Sequence, residues 1–88
     1  MAVPKLNVRV LTPTGVLYEG EVLAVSGTNA TGPFAILPQH AQFISLITGP
    51  ILLHEQQREA KEITLEQGVL ACQDNKVEVY AGFGALTL

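Results

Sequence analysis

Residues 5–10, KLNVRV, alternate without a break: Leu6, Val8 and Val10 fall on one side of an extended chain, Lys5, Asn7 and Arg9 on the other. Successive side chains of a strand point to opposite faces, whereas an amphipathic helix repeats about every 3.6 residues, so this stretch predicts a strand with one buried face. The period returns in residues 76–80, KVEVY, with Val77 and Val79 inward, and in residues 62–66, EITLE, with Ile63 and Leu65 inward. Between them, residues 21–26, 43–48, 51–54 and 69–73 are short, apolar and rich in β-branched residues or Leu, which suits further strands.

Turn chemistry separates these runs. Thr12-Pro13-Thr14-Gly15, Tyr18-Glu19-Gly20, residues 27–33, Gly49-Pro50, Glu66-Gln67-Gly68 and Asp74-Asn75-Lys76 each supply Gly, Pro, Asn or Asp for a reversal. Short strands with such regular punctuation predict an all-β fold, a sandwich or flattened barrel of two antiparallel sheets. Residues 54–61, HEQQREAK, are good helix formers but carry no apolar stripe, which favours the exposed end of a hairpin over a helix. Residues 81–88 contain no charged side chain; they add a final strand or lie against a partner, and the strand is the favoured reading.

At 88 residues the chain is expected to be one domain, residues 1–88, with one core. Hydrophobic residues make up 48% and charged residues 15%, a composition that folds and that leaves some apolar surface for a partner. The net charge of −3 and the scattering of the five basic residues argue against binding to phosphate backbones, so no nucleic acid is expected. A lone cysteine, Cys72, cannot close an internal disulfide and implies a reducing compartment. No segment approaches the roughly 20 apolar residues that cross a bilayer, so the chain is expected to be soluble, or held at a membrane by other proteins without inserting itself.

Reactive groups are few. Cys72 lies in the alternating run Val69-Leu70-Ala71-Cys72-Gln73 with no cation or helix start beside it, which predicts a buried structural thiol and not a nucleophile. His40, His54 and Cys72 lack the spacing of a metal site, and no metal or cofactor is expected. Glu19 and Glu21 flank Gly20 at an expected turn, where solvation leaves them unsuited to acid–base chemistry. Gly27, Gly32, Gly82 and Gly84 are turn and bulge formers, since none opens a helix with the spacing of a phosphate-binding loop. No catalytic residue is expected.

Three stretches together resemble the epsilon subunit family of F-type ATP synthases. Residues 11–22, LTPTGVLYEGEV, are similar to its opening segment; residues 32–51, GPFAILPQHAQFISLITGPI, to its two apolar strands around a Leu-Pro-Gly-His-Ala turn; residues 68–81, GVLACQDNKVEVYA, to its closing hairpin. Order and spacing agree across nearly the whole chain. The pattern departs at Gln39, where the family usually has glycine, at Gln42, where it has proline, and in residues 27–33, which lack a common acidic residue and its neighbouring Gly. The family's two C-terminal helices have no counterpart before Leu88, so the expectation is a short form without a helical hairpin.

The resemblance implies a non-catalytic rotor subunit at the foot of the central stalk, bound to the gamma subunit on one side and to the membrane c-ring on another. It implies a peripheral location on the cytoplasmic face of a bacterial inner membrane. Thr28, Asn29, Thr31, Pro33, Gln39, His40 and Gln42 are the expected contacts on the c-ring side, and Phe83, Leu86 and Leu88 on the gamma side. For His40 the residues leave two roles open, a hydrogen bond closing the turn or direct contact with the partner. Two other classes compete: a β-sandwich binding a small ligand or carbohydrate, disfavoured by an aromatic content of 6% and no Trp, and a biotinyl-type carrier, for which Lys76 lacks the preceding Met.

Overall fold

A computed structural model describes residues 4–39, 42–56 and 59–82. Nine strands run in chain order: β1 (Leu6–Thr12), β2 (Gly15–Val22), β3 (Ala24–Asn29), β4 (Gly32–Ile36), β5 (Phe43–Thr48), β6 (Ile51–Gln56), β7 (Glu59–Ile63), β8 (Gln67–Gln73) and β9 (Lys76–Ala81). They form a five-stranded sheet in the order β2-β1-β9-β8-β5 and a four-stranded sheet in the order β4-β3-β6-β7. The all-β, two-sheet expectation holds. The pairing is not antiparallel throughout, because β1 lies parallel to β9 with Val8 opposite Val77 and Val10 opposite Val79. Hairpin signals between neighbouring strands carry no information about such a long-range pair.

Alternation puts Leu6, Val8, Val10, Val77, Val79 and Leu70 on the inner face of the larger sheet, all fully buried. Against them stand Val25, Ile51 and Leu53 from the smaller sheet, and one cluster joins both layers. The expected burial of Cys72 is found, and desolvation pushes its thiol pKa up, as an inert core sulfur requires.

Two expected boundaries move. Tyr18-Glu19-Gly20 is not a turn but the middle of β2, where Tyr18 is buried opposite Val10. The reversal signal was misleading because Gly20 is required for another reason: a Cβ there would stand 3.0 Å from the Tyr18 hydroxyl. Residues 21–26 are likewise not one strand, since the chain passes from one sheet to the other at Leu23, whose N–H donates to the His54 carbonyl at 2.7 Å. Residues 54–61 form the end of the β6–β7 hairpin as expected, with residues 57 and 58 outside the described set.

The Tyr18 hydroxyl donates to Glu55 Oε2 at 2.7 Å, and the Lys61 ammonium sits 5.1 Å from its ring centroid, tying β2 to the β6–β7 hairpin. Desolvation, and then the hydrogen bond and negative charge of Glu55, push the phenol pKa from 10.0 up to about 12. With the folded value above the unfolded one, this group's stabilisation is whole below about pH 10 and is lost as the pH climbs towards 12. Tyr18→Phe should therefore be less stable than wild type at neutral pH by about 1–2 kcal/mol. Chemical denaturation at several pH values checks this, and the gap should narrow between about pH 10 and 12. Gly68→Ala is a second test of packing: the new Cβ would lie 2.8 Å from the Tyr80 carbonyl oxygen, and a loss of about 1–3 kcal/mol is expected.

Candidate interaction surface

The β3–β4 hairpin turns at Ala30 and Thr31. Asn29 organises it: its Oδ1 accepts from the Thr31 N–H at 2.9 Å and from the Thr31 hydroxyl at 2.7 Å. Its Nδ2 donates to Ser45 Oγ on β5 at 3.1 Å, so one side chain closes the turn and also bridges the two sheets. Phe34 on β4 and Phe43 on β5 meet across the same seam with ring centroids 5.3 Å apart. Both rings are half-buried against the core. The seam is thus held by an aromatic pair and an amide–hydroxyl bond.

After β4 the chain leaves the sheet at Leu37-Pro38, as proline demands. Gln39 takes a left-handed conformation, φ 67°, and its N–H donates to Asn75 Oδ1 at 2.6 Å. Asn75 and Asp74 also have positive φ, 63° and 52°, and form the two-residue β8–β9 turn. Asn and Asp tolerate this region and match the twist of a hairpin. Asn75 therefore serves twice, as turn former and as clamp on the loop after β4.

Among the expected c-ring contacts, Thr28 and Pro33 face each other across β3 and β4 and are exposed. Thr31 is exposed at the hairpin tip, Gln39 is exposed above the β8–β9 turn, and Gln42 is exposed just ahead of β5. Thr28, Thr31 and Pro33 sit at the hairpin-tip end of β4 and Gln39 and Gln42 beyond its other end, so the rim runs the length of β4 and the positions do not cluster at one end of the sandwich. Asn29 differs from the rest: its polar atoms are engaged within the chain, which makes it scaffold. His40, Phe83, Leu86 and Leu88 lie outside the described residues.

The outer face of the five-stranded sheet shows what residue-by-residue reading missed. Register places Leu46, Val69, Tyr80, Leu11 and Val16 in one row across all five strands. The next row holds Ile44, Ala71, Glu78, Arg9 and Glu19. Arg9 is 3.4 Å from Glu19 and 4.0 Å from Glu78, pairs that are exposed and weakly stabilising. Ile44 and Leu46 are 77% and 67% exposed. Each β5 residue looks like ordinary strand sequence; only the order of strands, which puts β5 at an edge, reveals the row.

Neither competing class gains from the geometry. Tyr18 is buried and Phe34 and Phe43 cover each other, which removes them as stacking platforms. Lys76 stands inside β9 opposite Gln73, while the hairpin tip holds Asp74 and Asn75. Among the described residues no three His, Cys, Asp or Glu side chains converge as metal ligands, and no helix is long and apolar enough to cross a membrane.

Residues 5–83 match the family model described as the ATP synthase delta/epsilon chain, β-sandwich domain. The ATP synthase epsilon chain of Leptospira borgpetersenii serovar Hardjo-bovis is 35% identical over 82 residues, covering 93% of this chain and 65% of that one. The epsilon chain of Sulfurimonas denitrificans is 33% identical over 76 residues, covering 85% of this chain and 58% of the other. The chain thus spans about two thirds of the length of the curated relatives it matches, or less. In fold it is similar to a chain of the Tetrahymena thermophila mitochondrial ATP synthase central stalk and c-ring, with TM-score 0.71, 14% identity, 93% of this chain and 66% of that chain. A chain of the Euglena gracilis mitochondrial ATP synthase gives TM-score 0.80 at 12% identity, with 92% and 53% covered.

Gln39 tests the rim directly. A non-glycine residue in the left-handed region costs about 1–2 kcal/mol, whereas glycine there loses only chain entropy. Gln39→Gly should leave stability unchanged or raise it by up to about 1 kcal/mol, and Asn75→Ala should lower it by about 1–2 kcal/mol. Asn75→Asp, which keeps both the turn preference and the acceptor, should stay near wild type in thermal unfolding.

Proposed function

The chain belongs to the delta/epsilon β-sandwich family of ATP synthases, and on that footing we propose that it is a central-stalk rotor subunit of an F-type enzyme. In this reading it links the gamma subunit to the membrane c-ring and supports the coupling of ion translocation to ATP synthesis. The chain itself makes and breaks no bond. It is peripheral, held through the complex at the cytoplasmic face of a bacterial inner membrane. The observation that carries the reading is the serial match over residues 5–83, which spans both sheets and every hairpin between them.

The mechanics suit the fold. A body that passes torque between two partners must not shear, and two sheets sharing a close-packed core resist shear because protein interiors are as dense as organic crystals. Tyr18–Glu55 at one seam and Asn29–Ser45 at another cross-link the layers by side-chain hydrogen bonds. In this reading Thr28, Thr31, Pro33, Gln39, His40 and Gln42 meet the polar loops of the ring. Phe83, Leu86 and Leu88 meet gamma.

Reconstitution tests both contacts. Wild-type chain added to membranes stripped of this subunit should co-purify with gamma and the c-ring. Thr28→Glu places an uncompensated charge on the rim, and recovery of the ring should fall about tenfold at unchanged Tm, because no hydrogen bond among the described residues uses the Thr28 side chain. Ring recovery equal to wild type would remove this rim from the interface. Deletion of residues 83–88 should release gamma while the remaining chain still unfolds cooperatively; retained gamma would mean that the tail is not the shaft contact.

A further inference from the structure

The rim along β4 is held at each end by an asparagine. At the hairpin tip Asn29 closes the turn and reaches Ser45 on the other sheet. Beyond the far end the clamp is Asn75, which belongs to the β8–β9 turn of the larger sheet and not to the segment it holds. Three features of Asn75 are used at once. Its φ of 63° makes the turn, its carbonyl accepts the Asn7 N–H at 2.8 Å, and its Oδ1 accepts the Gln39 N–H at 2.6 Å. The first two seat it on the β1–β9 pair, and the third carries that anchorage out to the loop after β4.

The segment so held has the chemistry of a contact surface. Leu37 is 49% exposed and Gln39 is exposed, within a span, residues 22–54, that carries no Asp, Glu, Lys or Arg. An exposed aliphatic side chain beside a neutral amide, with charge depleted around both, is the composition of an interface. Gln39 nevertheless has the left-handed backbone that only glycine adopts without steric cost. Left unclamped, a glutamine there would sample other conformations, and ordering it would subtract from the free energy of each binding event. With Asn75 as acceptor, that ordering is completed when the chain folds.

We infer that Asn75 is a positioning residue for the ring contact: its side-chain oxygen, seated on the β1–β9 pair, presets the loop after β4 so that Leu37 and Gln39 meet the ring without first being ordered. This assignment rests on the rotor reading and adds to it a residue that acts through Gln39. The groups it favours on the ring are neutral hydrogen-bonding ones, because the preset segment offers an amide and an aliphatic side chain and no charge to answer one. The same residue joins the loop to the interior of the larger sheet, since its carbonyl is bonded to β1.

The clamp can be removed without the turn. Asn75→Gly places at φ 63° a residue that suits a two-residue hairpin, keeps the backbone carbonyl and deletes only the acceptor. In the free variant the Gln39 amide should exchange with solvent at least about tenfold faster than in wild type. With the stripped membranes, the chain concentration that gives half-maximal ring recovery should rise about tenfold, while recovery of gamma stays at the wild-type level. Asn75→Asp retains the acceptor and, at salt that screens its added charge, should restore both ring recovery and slow exchange. Tyr18→Phe, which loses stability at the seam of β2 with the β6–β7 hairpin, should recover the ring like wild type, a result that general destabilisation would not give. Ring recovery by Asn75→Gly equal to wild type, unchanged Gln39 exchange, a parallel loss of gamma, or an equal loss of ring in Tyr18→Phe each overturns the inference and leaves the rotor reading standing. Failure of wild type to recover the ring overturns the rotor reading and the inference with it.

Discussion

The parallel pairing of β1 with β9 is the constraint on which the remaining structure depends. It joins the first strand to the last, with Asn7 donating its N–H to the Asn75 carbonyl at 2.8 Å and Val8 and Val10 facing Val77 and Val79. Once that pair forms, β2 is confined to one side of the sheet and β8 and β5 to the other. β2 must then deliver the chain into the second layer across Leu23. Long-range pairing closes a large loop before it gains contacts, so it is slow to form. The resulting layer has the first and last described strands paired in its interior.

Much of this was legible from residues. Alternation in residues 5–10, 62–66 and 76–80 placed three strands and their buried faces, because burying one face of a strand imposes a period of two on the sequence. Cys72 was legible for the same reason. What failed were inferences from single turn formers. Gly20 reads as a reversal, yet it is the space into which the buried Tyr18 ring folds; glycine marks a missing Cβ, and sequence does not say whether a turn or a neighbour needs it absent. The parallel β1–β9 pair was not legible because no local signal connects strands at opposite ends of the chain.

The rim was legible in part. Residues 27–33, Gln39 and Gln42 stood out as loop chemistry, and the structure sets the first group at the β3–β4 tip and the two glutamines beyond the far end of β4. The roles within that set were hidden. Asn29 is a polar loop residue by sequence and a cross-link between sheets by geometry, since its amide is used on both sides by Thr31 and Ser45. Gln39 shows the reverse: the left-handed backbone expected of glycine persists although the glycine does not, because Asn75 holds the peptide N–H in place. Turn geometry here belongs to the clamp as much as to the residue that adopts it.

The division of charge along the chain sorts its surface by chemistry. A chain of 88 residues has little surface to divide, and its charges lie entirely outside residues 22–54. The charged part, with Arg9 between Glu19 and Glu78, stays solvated at small cost. The uncharged part carries two chemistries: hydroxyl and amide groups on the β3–β4 hairpin and in the following loop, and, among the described residues, a β5 edge with no strand on its outer side. Both are seated on strands bridged by the Phe34–Phe43 and Asn29–Ser45 contacts, so a displacement at one is resisted by the shared core before it reaches the other.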